Sequence, residues 1–131
     1  MKIGPYAVAD ILEGSEALQK YQDYIKSEAH KLSKESALSD FYKAYGLEKL
    51  PEHVQTAAVA KYMDSPRWDA PTQAHYNKAA KSFRSVKLLA MWMILSANPD
   101  VSRQEIMSAV DAAITQENYI EIYKQLCAEM K

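Results

Sequence analysis

VKLLAMWMILSANPDVSRQE, residues 86–105, is the stretch on which the reading of the fold turns. From Leu88 to Asn98 it carries eleven residues without a charge. A membrane helix needs roughly 18 to 20 predominantly apolar residues, so this run falls well short. It therefore reads as the centre of a core or as a docking surface. Asn98-Pro99 closes the helix, because proline disfavours helical backbone at the residue before it. Just beyond, Ser102 and Glu105 have the spacing of a capping box, with Val101 and Ile106 at the staple positions. A new helix starts there.

Followed backwards, the same helix extends to about Pro71. At 100° per residue, Tyr76, Ala79, Ala80, Phe83, Val86, Ala90, Met93, Ile94 and Ala97 fall on one face, the expected core side. The opposite face changes character along its length. Positions 78, 81, 85, 88, 92 and 95 alternate steps of three and four, basic at the start and apolar at the end. Leaving Trp92 bare would forfeit about 2 kcal/mol or more of burial, so something should cover it. One reading wraps the second half of the helix in its neighbours as the central core helix. The other leaves Leu88, Trp92 and Leu95 as a partner-binding patch beside a basic rim.

The remaining chain is helical in the same sense. Three glycines and nineteen alanines in 131 residues favour helix, and no window alternates with period two. A first helix is expected from about Pro5 to Gly14-Ser15, and a second, capped by Ser15, to about Ser33 with Leu18, Tyr21, Ile25, Ala29 and Leu32 inward. A short helix over 36–45 should stop at Gly46, with Leu47 supplying the apolar contact that follows such a cap. A fourth from Pro51 to before Asp64 should turn Val54, Ala58 and Tyr62 inward. The last should be capped by Thr115, with Tyr119, Tyr123, Leu126, Cys127 and Met130 inward. The expectation is an all-α single domain over 1–131, a bundle of five to six helices around a long central helix at about 71–97.

Charge is distributed unevenly. Net charge is −1, but no acid lies between Asp69 and Asp100, where Lys78, Lys81, Arg84 and Lys87 are found. Those four are the candidate contacts for an anion or nucleic acid, although no helix-turn-helix glycine, zinc spacing or glycine-rich loop accompanies them. Acidic C-terminal helices that neutralise the stretch are the plainer account.

Catalytic motifs are hard to find. His30, His53 and His75 lie in different segments and match no metal-binding spacing, so no metal or cofactor is expected. Cys127 alone cannot form an internal disulfide, which suits a reducing compartment. Asp10 and Glu13 interrupt the N-terminal apolar residues, against a signal peptide. Two recognition features remain: Arg67-Trp68 between Pro66 and Pro71, and nine tyrosines against two phenylalanines. The reading is a small cytoplasmic helical protein that binds another protein, or itself, through Arg67, Trp68, Leu88, Trp92 and Leu95. Nucleic-acid binding through the four cations is one alternative, and an enzyme using His53 or His75 as a base is another.

Overall fold

In the computed structural model of the chain, residues 1–63 and 71–130 are described. Among them the structure is an all-α bundle of six helices with a two-stranded hairpin at the start. The hairpin pairs β1 (Lys2–Ile3) with β2 (Tyr6–Ala7). The helices are α1 (Glu16–Tyr45), α2 (Glu52–Met63), α3 (Gln73–Ala80), α4 (Phe83–Ala97), α5 (Arg103–Ala113) and α6 (Tyr119–Glu129). α4 is the centre, packed against α1, α5, α6 and the hairpin, while α3 lies on α1.

Burial explains why α4 is apolar all round. Leu89 through Ile94 are six consecutive buried residues, so this part of the helix has no solvent face. Ile106 and Val110 of α5, Ile114, Leu126 of α6, and Ile3 and Ile11 complete the main core.

Several local expectations give way to other physics. The helix expected from Pro5 is instead a hairpin, in which Lys2 pairs with Ala7 and Ile3 with Tyr6 across the loop Gly4-Pro5. Gly4 takes φ 59°, and a proline ring fixes φ negative, the signs of a type II′ turn. The hairpin is tied to α4: the Ala9 N–H donates to the Met93 carbonyl (3.1 Å), and Asn98 Nδ2 to that of Ala7 (3.0 Å).

The helices expected over 15–33 and 36–45 are one continuous α1 of 30 residues, about 45 Å long. No glycine or proline interrupts "LSKESALSD", and Ser33 is accommodated in a buried position. Its ends follow expectation. Ser15 Oγ accepts from the Leu18 N–H (3.2 Å), and Gly46 takes the left-handed conformation after which Leu47 is buried.

Conversely, the helix expected over 71–97 is two. Ser82 Oγ accepts from the Ser85 N–H (3.3 Å) as the cap of α4, and lies 3.0 Å from the Ala79 carbonyl and 2.7 Å from the Ser85 hydroxyl. A serine that satisfies the end of one helix and the start of the next makes a corner there. The last helix starts at Tyr119 rather than beyond a Thr115 cap. Asn118 shapes the turn, its Oδ1 accepting from the Thr115 N–H (2.7 Å) and its Nδ2 donating to the Ala113 carbonyl (2.9 Å).

Candidate binding surfaces

The apolar stripe of α4 is covered by its own chain. Trp92 is 7% exposed, and Leu88 and Leu95 are half-buried against the main core. Two cations flank the indole, Lys20 Nζ at 5.9 Å and the Arg103 guanidinium at 4.7 Å from its ring centroid. Lys20 also pairs with Glu16 (2.9 Å), and that hydrogen bond and positive charge hold the Glu16 carboxyl below its ordinary range. The cover for Trp92 is thus α1 and the start of α5.

The corner at Ser82 divides the four cations. Lys78 and Lys81 are exposed at the end of α3, beside a cavity of about 540 Å³ that Glu28, Leu32 and Tyr119 also line. On α4, Arg84 sits 5.8 Å from the Tyr24 ring centroid. Lys87 donates to Asp111 (3.0 Å) and lies 4.5 Å over the Phe83 ring, which in turn meets Tyr119 edge-on at 5.5 Å. Half of the set is therefore engaged with aromatic rings and an acid, and no continuous basic row is formed.

The histidines are apart. His75 Nδ1 accepts from the Thr72 N–H (2.9 Å) while Thr72 Oγ1 accepts from the His75 N–H (3.4 Å), a reciprocal cap of α3. His53 is exposed beside Glu52 and Thr56, and His30 is half-buried in α1. Among the described residues no three His, Cys, Asp or Glu side chains are placed to hold a metal ion, and no helix is long and apolar enough to cross a membrane. Arg67 and Trp68 lie outside the described residues.

Two surfaces escaped sequence reasoning. The first is an arm formed by the end of α1, the 3-10 turn Leu47–Lys49 and α2. Val54 and Ala58 were expected inward, yet Val54 is 38% exposed and Ala58 half-buried; the Tyr62 side chain lies outside the described residues. Among the described side chains of α2 none is buried. Leu50 is 40% exposed and Tyr45 71%, with the Tyr45 ring 5.1 Å from that of Phe41. The sequence signal was the composition of α2, where Val54, Ala57, Ala58, Val59 and Ala60 leave no clean polar face. Periodicity alone said nothing about whether another element would be near enough to cover it.

The second is a groove of about 480 Å³ between α1, α3, α4 and α6, walled by Tyr21, Tyr76 and Tyr123 over Ile25, Leu89 and Met130. Burial raises the Tyr21 phenol above its ordinary range. Burial, then a hydrogen bond with the Cys127 side chain, pushes Tyr123 up to about 12. The excess of tyrosine was the visible signal, but its convergence from three helices was not.

No family model, no curated protein and no solved structure matches this chain.

Proposed function

We propose that the chain acts by binding another protein, and that the partner seats on the arm of α1 and α2. The observation that carries this reading is α2 itself: an apolar helix with no buried side chain among those described, exposing its own Val54 and preceded by exposed Tyr45 and Leu50. A helix of that composition is normally covered, and exposed apolar patches are where protein partners dock. The cytoplasm is the compartment proposed for it, in keeping with a lone half-buried Cys127. Nucleic-acid binding has less to rest on, because Lys87 is paired with Asp111 and Arg84 lies over Tyr24.

The test is a pair of variants, Tyr45→Lys and Val54→Lys, each compared with the natural sequence. Both should keep the helical circular dichroism and the unfolding temperature. Sedimentation of the natural chain and affinity capture from its native host would show whether it self-associates or carries a second protein, and both variants should lose whichever of the two the natural chain displays. Unfolded variants would make the arm core. Variants identical to the natural chain in both assays would remove the arm as a docking site.

A further inference from the structure

We propose that the tyrosine-walled groove between α1, α3, α4 and α6 binds a small amphipathic carboxylate, a molecule with an apolar body and one anionic head. Its floor is aliphatic, with Ile25 and Leu89 buried and Ala80 and Met130 beside them. Its volume of about 480 Å³ falls in the range of roughly 300 to 1,000 Å³ typical of small-molecule sites, which combine an apolar lining with few polar groups.

Charge selects the head. Lys26 is the one charged side chain lining the groove; it is exposed, and among the described residues it has no ion-pair partner. A cation at the mouth of an apolar groove complements a ligand whose single charge is negative and terminal. The walls do not oppose it, since burial keeps the Tyr21 and Tyr123 phenols protonated, hence neutral, well past neutral pH. Affinity would come from removing the apolar body from water, and preference among heads from Lys26. The groove uses the first turns of α1, whereas the proposed docking arm uses its far end, so the two readings stand or fall separately.

The experiment titrates the isotope-labelled full chain with decanoate, decanol and decylamine, which share one aliphatic body and differ in head charge. Decanoate should saturate, with amide shifts gathered at residues 21–26, 76–80 and 123–130, and should bind more tightly than the other two. Lys26→Glu, at an exposed position that the fold does not need, should weaken decanoate about fivefold, the upper end for an exposed ion pair, and leave decanol unchanged. Ala80→Trp should fill the groove and abolish all binding. The site is overturned if none of the three saturates, if the shifts lie elsewhere, or if folded Ala80→Trp binds as before. Equal affinity for decanoate and decylamine, or a Lys26→Glu variant that binds decanoate normally, overturns the anionic head. Should Ala80→Trp not fold, the shift map and Lys26→Glu decide.

Discussion

The guanidinium of Arg103 lies 4.7 Å from the centre of the Trp92 ring, so the first residue of α5 closes over the middle of α4. A cation over an indole contributes about 0.5 to 1 kcal/mol at a partly exposed site. Arg103→Ala should lower stability by that amount and shift Trp92 emission to the red, read in a Trp68→Phe background. Unchanged emission would mean the contact does not form in solution.

Trp92 is core, so its truncation should be severe. Trp92→Ala should cost about 3 to 5 kcal/mol, the range for a buried aromatic residue. Leu88→Ala, at a half-buried position, should cost less. Chemical denaturation of both variants checks the order, and a mild Trp92→Ala would place the indole outside the core.

Turn chemistry gives a sharper contrast. Asn118 satisfies two backbone groups, the Thr115 N–H and the Ala113 carbonyl, and leaving buried backbone groups unpaired costs about 1 to 3 kcal/mol. Asn118→Ala should therefore destabilise more than Ser102→Ala, which removes a single exposed cap bond worth about 1 kcal/mol. Thr115→Val, which leaves the Thr115 N–H and its bond in place, should be nearly neutral. The reverse order would restore Thr115 as the cap.

Alkaline pH should expose the groove. Folding raises the Tyr21 and Tyr123 phenols above an unfolded value of about 10, so it favours their protonated form. The stability they contribute is complete below that pH and is lost as pH climbs from about 10 through their folded values. A spectrophotometric titration should show the other tyrosines ionising first. Tyr21→Phe should flatten the alkaline fall in stability; an equally steep fall would assign it to other groups.

Amide exchange should rank the helices. α4, enclosed on every side from Leu89 to Ile94, should exchange slowest and α2, with no buried side chain among those described, fastest. Equal protection would mean that α2 belongs to the same cooperative core.

Much of this architecture was legible in the residues, because burial leaves periodic marks. Ile25 and Ala29 of α1 and Leu126 of α6 are buried where the 3.6-residue period places them, and Ile106, at the staple position of the capping box, is buried too. The wheel also held for Val86, Ala90, Met93 and Ile94, while Ala97 proved exposed. What failed was punctuation. The expectation ends one helix at about Ser33 and starts another at 36 although nothing there breaks a helix, and it runs a single helix over 71–97 straight through Ser82, which does make a corner. Both errors have one cause: a serine hydroxyl caps or merely rides along according to which backbone groups are free nearby. Gly4-Pro5 was read for the proline and not for the glycine, and strands of two residues are too short to show a period. The groove and the arm were illegible for a different reason. Each depends on which helices meet, and one strand of sequence records faces without their distances.

The bonds from Ala9 to Met93 and from Asn98 to Ala7 carry a consequence for biogenesis. A ribosome finishes α1 long before it reaches Met93 and Asn98, which hold the hairpin, so the hairpin emerges with nothing to clasp it. Ile3 and Ile11 stay wet until some ninety further residues have been added, and helix formation in α1 runs ahead of closure. The hairpin is therefore made before α1 and secured after it.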